Sequence, residues 1–157
     1  KVKWEREEGI NIGEDRYQEV FRVPQLSDIT TVYLVRLELL DENGKVLSNN
    51  LYWESSKTPV DFSELSYMKY DKLDLTYTTE ETKDEYLVHA KVKNASDKLS
   101  FMNRLAIIRN DNKEEVLPSI WNDNFITVFP GEESTVEARV SKKDLNGSAF
   151  SVTVDNN

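Results

Sequence analysis

A chain of 157 residues can bury one good core or two small ones, and 38% hydrophobic against 31% charged content is too apolar for disorder. The net charge of −9 repels phosphate backbones and anionic bilayers, which excludes nucleic acid and membrane surfaces as partners and permits a cationic one. The absence of cysteine removes disulfides, thiolate catalysis and cysteine–zinc sites together, and a single histidine, His89, excludes a two-histidine metal site.

No apolar run reaches membrane-spanning length, and Lys1–Glu8 lacks the apolar centre of a signal peptide. The chain therefore reads as an excised fragment. Lys1–Glu5 alternates around Val2 and Trp4 and predicts a short strand; residues 6–16 are charged and read as a loop. Tyr17–Val23 alternates again and predicts a second strand, ended by Pro24.

The strongest signal follows. Thr31–Leu40 is rich in β-branched and aromatic residues, with Tyr33, Val35, Leu37 and Leu39 on one face of a strand. Residues 41–44 form a turn in which Asn43-Gly44 is expected to supply the positive backbone angles of a tight hairpin, and Lys45–Glu54 returns. Residues 55–66 break the pattern and read as a linker. Within them Asp61–Leu65 could form one helical turn, with Asp61 as cap and Glu64 completing a capping box. No other segment has sustained helical spacing.

Beyond the linker, strands recur at short intervals. Leu73–Thr79 alternates, a charged turn follows at 82–85, and Tyr86–Lys93 places Tyr86, Val88, Ala90 and Val92 inward. Further strands are expected over Phe101–Arg109, Val116–Trp121, Phe125–Phe129, Thr135–Val140 and Ala149–Val154. Turns separate them at 94–97, 110–113, 122–124 and 146–147. Seven or eight short strands over residues 67–157 are what an immunoglobulin-like sandwich requires. The fold class is all-β: an immunoglobulin-like β-sandwich preceded by a partial second β-sandwich.

Two stretches carry a family resemblance. One is the hairpin Tyr33–Leu39 with Asp41, Gly44 and Asn50–Trp53. The other is Glu115–Phe125 continuing into Phe129-Pro130-Gly131-Glu132. Together they resemble the C-terminal region of glycoside hydrolase family 2 enzymes, nearest the exo-β-D-glucosaminidase and β-mannosidase branch. The resemblance implies that residues 1–54 are the later part of one immunoglobulin-like sandwich and residues 67–157 a complete terminal one. It also implies that the partner is the catalytic barrel of the same parent chain, a retaining β-glycosidase acting on terminal β-linked glucosaminides or mannosides. A periplasmic or secreted bacterial enzyme is the expected setting. The family's catalytic carboxylates belong to the barrel, which no part of this sequence matches, so no catalytic residue, cofactor or metal ligand is assigned.

The candidate sugar-contacting residues are Trp121, Asn122, Asp123 and Trp53, and each has a structural reading beside it. Trp121 stacks on a pyranose or fills the core between apolar Ile120 and Phe125. Asn122, Asp123 and Asn124 bind a sugar or calcium, or bond their own backbone in a turn. Trp53 and Tyr52 pack beneath the linker, near Phe62, or contact ligand. Trp4 is the ring expected to be exposed. The acidic pairs Glu7-Glu8, Glu114-Glu115 and Glu132-Glu133 read as solvated surface, because adjacent strand residues face opposite ways and cannot flank one glycosidic bond. His89, on a strand among lysines, reads as exposed. The structural readings predict a scaffold. The alternatives are a carbohydrate-binding module, or an adhesion sandwich. A truncated first sandwich would also leave strand edges open, so the fragment is expected to dimerise through that edge or rearrange.

Overall fold

The computed structural model describes residues 2–155, and the chain divides into two compact units, Lys1–Met68 and Lys69–Asn157. In the first unit one antiparallel ladder forms, β1 (Val32–Leu40) against β2 (Val46–Ser55), with a register shift between Leu39 and Leu40. The Asp41 carboxylate holds the turn by accepting from the Asn43 and Lys45 N–H groups at 2.8 and 2.9 Å. Gly44 alone takes a positive φ, 79°, and Asn43 does not, so one glycine suffices where two permissive residues were expected.

The strands expected at 1–5 and 17–23 do not form over the described residues, and no strand occurs before Val32. Alternation needs a neighbouring ladder to become a strand, and neither segment has one; Tyr17 is fully exposed. Trp4 departs from expectation too. It is half-buried, edge-on to Phe21 at 5.7 Å, with the Arg6 guanidinium over the same Phe21 ring. Residues 55–66 are bound to the hairpin rather than strung beyond it. Ser56 N–H donates to Thr31 O at 2.9 Å, and a short 3-10 helix spans Ser63–Tyr67. Asp61 accepts from the Ser63 N–H at 2.9 Å, but the helix starts two residues later than expected, with Phe62 rather than Asp61 at its N-cap, and Glu64 does not complete a capping box. Its Oε2 accepts instead from the N–H of Val32, which opens β1, at 2.7 Å.

The second unit is a two-layer sandwich. One sheet has the order β3 (Asp74–Glu81), β4 (Glu85–Lys93), β8 (Glu133–Ser141), β6 (Ser119–Trp121); the other has β7 (Ile126–Val128), β5 (Ser100–Arg109), β9 (Phe150–Asp155). The period-two pattern assigns the faces: Tyr86, Val88, Ala90 and Val92 of β4 pair in register with Val140, Ala138, Val136 and Ser134 of β8, and Val88, Ala90, Val92, Val136, Ala138 and Val140 are all buried. Leu105 and Ile107 of β5, with Val152 of β9, close the core from the other sheet. Among the described residues the seven strands of this unit divide four and three as in immunoglobulin domains, but their chain order differs from the immunoglobulin order. The segment 119–128 visits the four-stranded sheet first and the three-stranded sheet second.

A four-residue helix, α1 (Lys142–Leu145), follows β8 where helical spacing gave no sign of one. Ser141 caps it by accepting from the Lys143 N–H, and Asn146 ends it in the left-handed region at φ 51°. Asn146-Gly147, expected as a plain turn, is therefore the helix stop.

Candidate functional site

The densest cluster of candidate residues lies where the chain changes sheets. Trp121 ends β6 and pairs with Ala138 of β8, and Ile126 begins β7 beside Asn103 of β5. The intervening amides replace the missing ladder rungs. Asn122 exchanges two bonds with Glu137: its N–H donates to the Glu137 carbonyl at 2.9 Å, and its Oδ1 accepts from the Glu137 N–H at 2.7 Å. Asn124 bonds the opposite sheet through its side chain alone. Its Oδ1 accepts from the Leu105 N–H at 2.7 Å and its Nδ2 donates to the Leu105 carbonyl at 2.9 Å.

The Asp123 carboxylate accepts from the Asn124 N–H at 2.8 Å. Phe125 next takes φ 54°, a costly value for a bulky side chain, and its N–H donates to Asn124 Oδ1 at 2.8 Å. Asn122 Oδ1, the Asp123 carboxylate and both polar atoms of the Asn124 side chain thus bond backbone groups.

Trp121 packs against the buried core while its Nε1 donates to Ser119 Oγ at 3.3 Å. Its rim joins a shallow hollow of about 180 Å³ on the outer sheet face, where Arg139 lies in register between Leu87 and Ile120. Trp53 and Tyr52 sit in the other unit, 42% and 46% exposed, opposite Leu34 and Val35. As neighbours on one strand they face opposite ways, so they cannot form a single stacking platform. Trp121, Asn122 and Asp123 stand together in the second unit, and Trp53 belongs to the first.

His89 stands between two carboxylates rather than among lysines: Nδ1 is 3.0 Å from Glu137 and Nε2 is 3.5 Å from Glu80. Its environment comes from the strands beside it, not from its sequence neighbours. Among the described residues no group of three or more histidine and acidic side chains is arranged to hold a metal ion. The acidic pairs lie at the surface as expected, with only Glu115 half-buried, and several of their members form ion pairs there. Glu115 grips Arg104 with both oxygens at 2.5 Å, which pushes the guanidinium pKa upward, and Glu114 takes Arg109 at 2.7 Å. The Lys91 ammonium, 2.9 Å away, holds the Glu133 carboxyl below its ordinary range.

Among the described residues, three polar ones, Asn94, Ser100 and Asn103, are buried. Asn94 donates to the carbonyls of Lys98 and Val128 at 2.7 and 2.9 Å, and Asn103 to those of Ser100 and Ile126 at 3.0 and 2.8 Å. Ser100 Oγ donates to Asn103 Oδ1 at 2.6 Å. Asn94 is hidden in the sequence as a member of the 94–97 turn, and Ser100 and Asn103 because nothing in a strand pattern marks a polar residue as buried.

A model of the exo-β-D-glucosaminidase Ig-fold domain matches residues 50–157. The exo-β-D-glucosaminidase of Amycolatopsis orientalis is 31% identical over 84% of this chain and 15% of its own length. That of Streptomyces avermitilis is 29% identical over 93% of this chain and 18% of its own. The crystal structure of Amycolatopsis orientalis exo-chitosanase CsxA superposes with a TM-score of 0.76 at 27% identity, over 85% of this chain and 18% of that one. The chain thus spans less than a fifth of the length of these relatives. They bear out the glucosaminidase part of the resemblance and lend the β-mannosidase part no support. With two thirds of its length matched by the family model, this chain belongs to the exo-β-D-glucosaminidase Ig-fold domain family.

Proposed function

We propose that this chain is a non-catalytic accessory region of a larger exo-β-D-glucosaminidase, bracing the catalytic barrel of that enzyme. The parent would release terminal β-linked glucosamine by a retaining mechanism, as an exported enzyme acting on a polymer. The observation that carries this reading is the crossover at 121–125. The residues best suited to grip a sugar, Asn122 and Asn124, are bonded in pairs to the backbones of Glu137 and Leu105. Glycoside hydrolysis needs two carboxyl groups about 5–10 Å apart across a cleft, one usually with a raised pKa. Here Glu114, Glu115, Glu133 and Glu137 face a cation or His89 instead. Residues 1–54 fit the later part of a preceding sandwich: their one ladder leaves Leu37, Leu39 and Leu47 exposed, as strands awaiting a second sheet would be.

The test is kinetic and calorimetric. Incubated with p-nitrophenyl β-D-glucosaminide, the 157-residue chain is expected to give no turnover, and measurable release of nitrophenol would overturn the proposal. Calorimetric titration with chitosan oligosaccharides is expected to give no saturable heat. A saturable isotherm would move the assignment to a carbohydrate-binding module.

A further inference from the structure

The sandwich of the second unit has two lateral sides, and they are finished differently. On one side the outermost strands are β6 and β7, three residues each, with Pro118 just before the first and Pro130 shortly after the second. Short length and flanking proline keep an edge from recruiting another strand. On the other side the outermost strands are β3 and β9, eight and six residues long, with no proline and no lysine in either. Among the described residues no strand pairs with their outer edges. β9 reads Phe-Ser-Val-Thr-Val-Asp, β-branched and uncharged up to its last residue, the composition of a strand competent to extend a sheet.

A hollow lies beside this unguarded edge. Tyr77 and Thr79 of β3 are paired with Ala90 and Val88, which are fully buried, so they point to the interior side of the sheet. Tyr77 is nonetheless 38% exposed. The space before it, about 300 Å³, is lined by Tyr77, Thr79, Tyr86, Ser148, Ala149 and Phe150. Tyr86 and Phe150 meet edge-on at 5.4 Å to form its floor. The ends of the two edge strands carry acids, Asp74, Glu80 and Glu81 on β3 and Asp155 on β9; Lys142, bound to Glu81, lies over the Tyr86 ring, and Arg104 is in register with Asp155.

We propose that the β3–β9 side is a strand-acceptor site for an extended segment of a different polypeptide. The segment pairs along the outer edge of β9, sets one bulky apolar side chain into the Tyr77–Tyr86–Phe150 hollow, and carries basic residues at its ends. Backbone pairing supplies the attraction and the hollow supplies the selectivity, as in other cases of strand addition. Charge selects against a second copy of this chain. Two molecules of net charge −9 pairing edge to edge bring acidic ends together, whereas a basic-ended segment meets its complement.

The probe is the acetylated, amidated heptapeptide Lys-Thr-Val-Phe-Val-Thr-Lys, titrated into the isotopically labelled 157-residue chain and followed by NMR. Saturable shifts at the Tyr77 and Tyr86 rings are expected, together with slowed amide exchange along β9. Tyr77→Lys, an inward-pointing charge at the edge, is expected to weaken binding about tenfold or more, while Thr78→Lys on the opposite face leaves it unchanged. If Tyr77→Lys does not fold, Thr79→Lys takes its place with the same expectation. Lack of saturation at millimolar peptide overturns the proposal, as does binding that leaves β9 exchange unaltered. Dimerisation through β9 without peptide, or displacement of the peptide by chitobiose, overturns it as well, in favour of a second copy or a sugar.

Discussion

Asn124 shows how a polar side chain can be structural at a site that invites a functional reading. It satisfies both backbone groups of Leu105, whose side chain lies in the core. Asn124→Ala strands that N–H and carbonyl away from water, at a cost of about 2–3 kcal/mol. The expected result is a fall in the urea midpoint with unchanged slope; an unshifted midpoint would show that water replaces the amide. Asp61 gives a pH-dependent counterpart. The Ser63 hydroxyl and backbone N–H, then Lys57, hold its carboxyl down from the ordinary 3.8 to about 2. A depressed carboxyl pKa stabilises the fold above the ordinary value, and that contribution is lost as pH falls through the folded one. Between about pH 4 and pH 2 the Ser63–Tyr67 turn is expected to fray, read as faster exchange of the Ser63 amide, and Asp61→Asn abolishes that pH dependence.

At the scale of elements, the strands that were legible are those whose alternation is answered by a buried partner. Tyr86–Lys93 was read with the correct face because every second residue is apolar, and the facing strand β8 has the same pattern. The hairpin at 32–55 was legible from composition and turn chemistry. What a period-two pattern cannot carry is the identity of the neighbour. Val116–Trp121 and Phe125–Phe129, on either side of a short polar turn, look like paired arms, yet β6 joins β8 and β7 joins β5. The helix at 142–145 is one turn long, too short for any periodicity, and only Ser141 and Asn146-Gly147 mark its ends. Residues 2–31 differ from the rest in that their alternation meets no ladder, so their amides have no sheet partner to slow exchange. Hydrogen exchange is expected to be complete for these residues within seconds at neutral pH, while β4 and β8 exchange only on unfolding of the second unit. Protection across 17–23 would restore the strand expected there.

On the scale of the whole molecule, burial is distributed unevenly enough to predict how the chain unfolds. Among the described residues Val32 is the buried hydrophobic residue of the first unit, and the remaining core, from Leu73 to Val152, belongs to the second. Cooperative unfolding requires a core to lose, and its heat-capacity change follows the apolar surface exposed. If only the second unit melts cooperatively, calorimetry of the 157-residue chain gives about 1.2 kcal/mol/K, against about 2.1 were the whole chain to unfold as one. The excised segment 69–157 is then expected to reproduce both the transition and its heat-capacity change, with a midpoint within a few degrees of the full chain. A midpoint far lower, or a heat-capacity change near the larger value, would mean that the first unit contributes a core of its own. A hairpin with Leu37, Leu39 and Leu47 in water has too little buried surface to supply one, which is why the burden of stability rests on the sandwich.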